Sequence, residues 1–385
     1  PINQTKTKNP FVSILDLQLE GMELSDLLEK QIARVTSFGL GIFQQYCSVT
    51  GQQQRNSLKG GINDSFVLSV PYCGKKLIWE VLFDVTDLTA PPDFIFDSDF
   101  MDYLSLSIIR KNVVSLFSWD IKEETSLMRI IKEFHDLYRT YSVENLSPHS
   151  RIQFEYVSLI EQLSAGSSDI EVFFDKDGAT FMIRLPIDFS DTSSFLREHH
   201  NVLVAALNVD FHSMDASKTT TKVMSSRAAS RVLPDNEFPT IPPFSQNKCL
   251  IDYVPAIQRL LEKCIKNKRE EFLLRRALLV QILEVFGRNV LEFDAESYRN
   301  ISLLFEWNDF HFITRIGVPS EYPGIKPLLL LQSVYHIHNK QPFSMEIPDY
   351  PYSSDWTDSQ IVEEIHQSVL NSVVKFQKLS LKCSI

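Results

Sequence analysis

Five cysteines, at positions 47, 73, 249, 264 and 383, and the run HIHNKQPFSMEIPD, which carries His336, His338 and Asp349, hold the clearest capacity for chemistry in this sequence. A thiolate can attack a carbonyl and carry an acyl group as a thioester. The cysteines form no CxxC pair and no regular framework, so free thiols in reducing surroundings are expected. Two imidazoles and a carboxylate can hold zinc while a fourth position activates water, which makes His336, His338 and Asp349 a candidate hydrolytic centre. Pro342 and Pro348 interrupt that run, and the competing reading packs His336 beside Tyr335 and leaves His338 a polar loop residue. Smaller constellations fall short. GLG at 39–41 and GG at 60–61 lack the strand–turn–helix setting and charged partner of nucleotide sites. There is no GxSxG elbow, and Asp99, Asp102 and Asp120 do not compose a calcium loop. KNKREE followed by RR reads as the solvated face of a helix, with a charged docking patch as its alternative.

The elements that would position such groups are those of a sizeable α+β chain. At 385 residues, two or three domains are expected, and 44% apolar with 23% charged residues is an ordinary globular balance. A formal charge of -11 argues against direct nucleic-acid binding, while leaving room for a small basic patch that meets an acidic protein partner. No uncharged apolar run approaches the ~20 residues of a spanning helix, and no long apolar stretch opens the chain, so neither membrane insertion nor a secretory signal is expected. A chain that opens on Pro1 reads as part of a longer translation product.

Apolar spacing predicts one or two short helices between Leu15 and Val35, bent near Gly21. FGLGIFQQYCSV is ambiguous, with helix ahead of strand. DSFVLSVPY and KKLIWEVLFDV alternate as strands around the turn YCGKK, PPDFIF adds a short strand, and TSLMRIIKEFHDLYRTY is an amphipathic helix. RIQFEYVSLIEQL is a helix, DIEVFFDKDGATFMIRLPIDF two strands about a DKDG turn, and NVLVAALNVDF a third strand. The polar stretch from Ser213 to Pro239 is expected to be an exposed loop, flexible until bound, and the helical material after Ile251 to break near Lys268. Four strands follow, in NVLEFDAE, NISLLFEW, DFHFITRIGVP and KPLLLLQSVYH, and a closing helix in DSQIVEEIHQSVLNSVVKFQKL.

Prolines punctuate this pattern at matching places. Pro91 and Pro92, like Pro323 and Pro327, end one strand and force an extended path into the next. Setting Pro92 on Pro327 places Leu77 on Phe312, Asp84 on Pro319 and Trp119 close to Trp356, so both tryptophans are expected to pin a crossover against a closing helix. Strand, proline crossover, apolar strand, downstream Trp and closing helix resemble the ubiquitin-conjugating fold. The islands PPDFIF, RIQFEY, LPIDFS, CLIDYVP, FDAE, QSVYH and YPYSSDW, in this order over residues 66–356, resemble the brain and reproductive organ-expressed family, ubiquitin-conjugating-like subunits of the BRISC and BRCA deubiquitinase assemblies.

That resemblance implies an α+β chain of tandem ubiquitin-conjugating-variant and RWD-like domains, each an antiparallel sheet packed with helices. The divisions expected are an N-terminal helical segment at 1–50, a first variant domain at 51–145, a central RWD-like domain at 146–270 and a C-terminal variant domain at 271–385. Ubiquitin transfer in this fold needs a cysteine soon after the crossover, and none lies between Cys73 and Cys249 or between Cys264 and Cys383. The function implied is a noncatalytic scaffold without cofactors, joining a zinc-dependent, lysine-63-specific deubiquitinase and its Abraxas-type scaffold to a MERIT-type adaptor. Nuclear and cytoplasmic residence and a link to DNA-damage signalling follow from the same resemblance. Phe94, Phe96, Tyr350, Tyr352 and Trp356 are the candidate partner contacts, each with core packing as its rival role. Two other functions stay open: recognition of ubiquitin chains or peptides in cargo sorting, and a zinc isopeptidase using His336, His338 and Asp349, although Glu346 stands where such metalloproteases carry serine.

Overall fold

The computed structural model describes residues 26–53, 65–84, 87, 89–162, 166–174, 178–189, 203–231, 240–244 and 248–382. It is an α+β protein in which several antiparallel sheets pack against helices. The chain divides into two compact units, Pro1–Ile187 with His200–Leu260, and Asp188–His199 with Leu261–Ile385.

In the first unit, helix α1 (26–37) buries Leu28, Gln31 and Val35 along one stripe. The expected helices upstream of residue 26 lie outside the described residues. FGLGIFQQYCSV is not helical: it forms a small strand pair, β1 (Gly39–Leu40) with β2 (Gln45–Tyr46). Glycine weakens a helix, and Gly41 takes φ +71°, a left-handed conformation that turns the chain back on itself.

Strands β3 (Ser48–Gln53), β4 (Ser65–Tyr72), β5 (Lys75–Leu82) and β6 (Asp93–Ile95) make a four-stranded meander. The β4–β5 hairpin turns through Cys73 and Gly74, both at positive φ, the geometry that suits the twist of paired strands. Two short helices, α2 (Ser98–Tyr103) and α3 (Leu106–Asn112), precede the long α4 (Ser126–Glu144). Helix α4 lays Leu127, Ile130, Ile131, Phe134, Leu137 and Tyr138 against Trp79, Val70 and Leu68 of the sheet. The side chain of its N-cap Thr125 makes no capping bond; instead Gln31 of α1 accepts the Leu127 amide at 3.0 Å and donates to the Ile121 and Glu123 carbonyls. One buried amide thereby satisfies groups that a helix start leaves open.

The same unit contains α5 (Ser150–Gln162) and a second sheet ordered β10-β9-β8-β7: β7 (Ile170–Phe174), β8 (Ala179–Leu185), β9 (Ala205–Phe211) and β10 (Thr219–Ser225). Strand β10 corrects the expected loop. It pairs with β9 along its whole length, because three consecutive β-branched threonines and Val223 suit an edge strand whose outer face stays polar. The two sheets share a core, in which Met182, Val204 and Ala206 join the α4 cluster. The buried Glu171 carboxylate on β7 stitches them together, accepting the amides of Ile42 at 2.9 Å and Cys73 at 2.7 Å.

Helix α6 runs unbroken from Leu250 to Phe286, so the expected break near Lys268 does not occur; KNKREE consists largely of good helix formers. Its residues to Leu260 belong to the first unit and the remainder to the second. The second unit holds a five-stranded meander, β11 (Val290–Phe293), β12 (Asn300–Trp307), β13 (Phe310–Gly317), β14 (Leu328–His338) and β15 (Gln341–Glu346). Strand β15 was not legible, since Pro342 argues against a strand; it is an edge strand, where proline is tolerated, reached through Asn339 and Lys340 at positive φ. Leu278, Leu279 and Ile282 of α6 share a core with Ile361, Ile365, Val369 and Phe376 of α7 (Asp358–Lys382).

Candidate functional site

The two crossings share their strand frame. Pro92 and Pro327 are separated by 235 residues (327 minus 92), and that displacement maps β4 onto β12 and β5 onto β13 end to end. Leu82 pairs with Asp93 after the first crossing, and Gly317 with Leu328 after the second, so each returning strand begins directly after its proline. Pro92 and Pro327 are buried, Pro323 is half-buried and Pro91 is exposed.

The first crossing feeds an aromatic core. Phe96 is buried, with ring centroids 5.2 Å from Trp79 and 4.9 Å from Phe134, and half-buried Phe94 lies 4.9 Å from Phe134. Trp119 rests on Phe83 at 6.1 Å. The second crossing is closed by hydroxyls. Tyr350, itself buried, donates to the Pro327 carbonyl; half-buried Tyr352 donates to the Pro323 carbonyl at 2.6 Å; Tyr322 donates to Asp358 at 3.0 Å. Lys326 donates to the Pro348 carbonyl at 2.6 Å with its ammonium 4.5 Å from the Tyr350 ring. Burial, then the Asp358 charge, pushes the Tyr322 phenol well up, and burial does the same to Tyr350. Half-buried Trp356 packs against this core. Thr357 and Gln360 form a capping box at the start of α7, Gln360 accepting the Thr357 amide at 2.9 Å and Thr357 the Gln360 amide at 3.4 Å.

Among the described residues, neither crossing meets a thiol. Cys73 lies in the β4–β5 turn, buried, its sulfur donating to the Thr180 carbonyl at 3.3 Å; burial and the nearby Glu171 push its thiol far up. Burial pushes the Cys47 thiol up to about 12. A group held as a thiol is a poor acyl acceptor. Half-buried Cys249 precedes α6, and Cys264 sits inside it. Cys383 lies outside the described residues.

The zinc reading is set aside on geometry. Among the described residues no three His, Cys, Asp or Glu side chains are grouped to hold a metal ion. His336 stacks on Phe310 with Nδ1 3.3 Å from the Ser333 hydroxyl, and His338 ends β14 exposed, opposite Gln341. No helix among the described residues is long and apolar enough to cross a membrane.

A cavity of about 940 Å³ opens in the first unit, lined by α4 residues Lys132, His135, Asp136, Arg139 and Val143, by the β1–β2 hairpin, and by Tyr156, Ser168, Asp169 and Arg184. Sequence reasoning missed it because its walls come from five separate segments. Spacing does signal one wall, since Lys132, Asp136 and Arg139 recur at helical intervals.

Comparison with known proteins decides the family. The family model described as Brain and reproductive organ-expressed protein (BRE) matches residues 23–337. The chain belongs to this family. Its relatives include "BRISC and BRCA1-A complex member 2" of Branchiostoma floridae, 33% identical over 342 residues that cover 86% of this chain and 88% of the relative. The protein of the same name from Danio rerio is 30% identical over 335 residues, covering 83% and 85% respectively. The family match spans both crossings.

Proposed function

We propose that this protein is a noncatalytic scaffold subunit of a BRISC- or BRCA1-A-type deubiquitinase complex. One observation carries the reading: a chain of this family keeps two strand-and-proline frames in the same register, and no cysteine lies in either frame beyond the buried Cys73 turn. Such frames present shaped surfaces without acyl transfer, and tandem modules raise the local concentration of one partner beside another.

In this reading the frames are ubiquitin-conjugating-variant domains flanking an RWD-like domain, at 51–145, 146–270 and 271–385, with a helical segment before them. The N-terminal part faces the zinc-dependent deubiquitinase and its Abraxas-type scaffold, and the C-terminal part the MERIT-type adaptor, in nuclear and cytoplasmic assemblies. Phe94, Tyr352 and Trp356 retain exposed area for a partner, whereas Phe96 and Tyr350 act by holding the crossings from within.

The test is co-purification of the tagged full chain from cells, with partners identified by mass spectrometry. A metalloprotease subunit recovered in fixed stoichiometry, with lysine-63 chain cleavage depending on that subunit, supports the proposal. Recovery without any metalloprotease overturns it. Saturable binding of lysine-63-linked chains by the isolated chain would move the assignment to a ubiquitin receptor.

A further inference from the structure

The first unit displays an apolar strap on its surface. After β6 the chain runs through α2, α3 and a single 3-10 turn at Val114–Ser118. Leu104, Ile108, Ile109 and Leu116 of this stretch rest against the core that α4 shares. The side chains pointing the other way are apolar as well. Leu106 is 74% exposed, Val114 60%, Phe117 59% and Met101 42%, and neither α3 nor the turn buries a single residue. One exposed leucine is ordinary, but apolar side chains gathered on successive elements mark a face that is covered in use.

The backbone beneath this face is fixed by polar groups. Asp97 caps α2 by accepting the Phe100 amide at 3.0 Å, and Ser105 caps α3 by accepting the Ile108 amide at 3.4 Å. Glu133 of α4 accepts both the amide of Ser115, at 2.9 Å, and its hydroxyl, at 2.8 Å. Leu106, Val114 and Phe117 are therefore held out on a preformed frame, which lowers the ordering cost of any contact they make.

Charge selects the occupant. Asp99 and Asp102 lie on α2, Arg110 and Lys111 close α3, all four are exposed, and none makes an ion pair among the described residues. The fold thus sets two acids and two bases on either side of Leu106 in the chain without letting them meet. A partner face of one sign would answer only one end. A second copy turned about a two-fold axis brings its bases to these acids and its acids to these bases, while the apolar side chains meet between them. The net charge of -11 opposes association only across a screening length of about 8 Å at physiological salt, whereas the charges at the contact are opposite. We infer that the strap is a two-fold contact between copies of this chain, with Leu106, Val114 and Phe117 at its centre and Asp99 and Asp102 of each copy facing Arg110 and Lys111 of the other.

Sedimentation equilibrium of the full chain tests this. The contact is small, so dimer is expected to predominate at roughly 100 µM and monomer at roughly 1 µM. Leu106→Glu and Phe117→Glu should each weaken association by roughly ten-fold or more. The decisive arm pairs two double variants, Asp99→Lys with Asp102→Lys and Arg110→Glu with Lys111→Glu, all at exposed positions. Each alone gives the contact a single sign and should be monomeric, whereas an equimolar mixture restores opposite charges at both ends and should form the mixed dimer. A chain that stays monomeric at roughly 100 µM, a dimer indifferent to Leu106→Glu and Phe117→Glu, or a mixture that remains monomeric would each overturn the inference. Co-purification with a metalloprotease does not depend on this contact, so the two proposals fail separately.

Discussion

The two proline crossings share strand lengths, hairpin register and the position of the returning strand, yet they are closed by different forces. In the first unit the chain returns through β6, a strand of three residues, and Phe94 and Phe96 enter an aromatic core around Trp79. In the second it returns through β14, a strand of eleven, and three tyrosine hydroxyls fasten the crossing to backbone carbonyls and to Asp358. The closing helices differ likewise. Helix α4 is capped by Gln31, far away in sequence, and α7 by its own Thr357 and Gln360. A backbone frame therefore tolerates either apolar or polar closure, provided that each buried polar group finds a partner.

Variants at matched positions break or sharpen this contrast. The largest effect belongs to Trp79→Ala, which empties a fully buried site and should cost about 3–5 kcal/mol in denaturant unfolding. Gln31→Ala strips partners from the Leu127 amide and from the Ile121 and Glu123 carbonyls, and should cost about 2 kcal/mol, with faster hydrogen exchange at the start of α4. Gln360→Ala, on an exposed local cap, should cost less, about 1 kcal/mol. Equal losses at the two caps would dissolve the distinction between distant and local capping.

Tyr352→Phe removes one hydroxyl bond to Pro323 and should cost about 1 kcal/mol, also visible as weaker retention of partners if Tyr352 lies in an interface. Tyr322 and Tyr350 predict a pH effect whose sign is fixed. Their folded phenols ionise at higher pH than unfolded ones, so the folded state binds more protons above about pH 10 and stability falls as pH climbs past that point. Absorbance-monitored titration should show late tyrosine ionisation coupled to unfolding, and Tyr322→Phe should shift that unfolding to higher pH. The smallest effect is at Thr314, which stands at the register position of Trp79 in the second unit and whose buried hydroxyl has no partner among the described residues. Thr314→Val should change stability by less than about 0.5 kcal/mol, or raise it slightly.

Much of the frame was legible because it is written locally. Alternation marks β4, β5, β12 and β13, helical spacing marks α4 and α7, and the prolines mark where each crossing ends. Three of the errors are strands whose apolar signal is weak. FGLGIFQQYCSV became the hairpin β1–β2, the threonine-rich stretch became β10, and QPFSME became β15, all short or polar elements in which alternation is faint. His336, His338 and Asp349 had spacing suited to zinc, but spacing along a chain does not make side chains converge.

The sequence by itself determined the alternation of helix and strand, the repeated proline frame and the absence of a cysteine from both crossings, because each depends on residue type and near neighbours. Only the tertiary structure decided that Glu171 joins two sheets, that Gln31 caps a helix about ninety residues away, and that Arg139 and Arg184 face one cavity. Those contacts join groups from distant segments, and a hydrogen bond or ion pair forms where folding brings donor and acceptor within about 3 Å, whatever their separation in sequence.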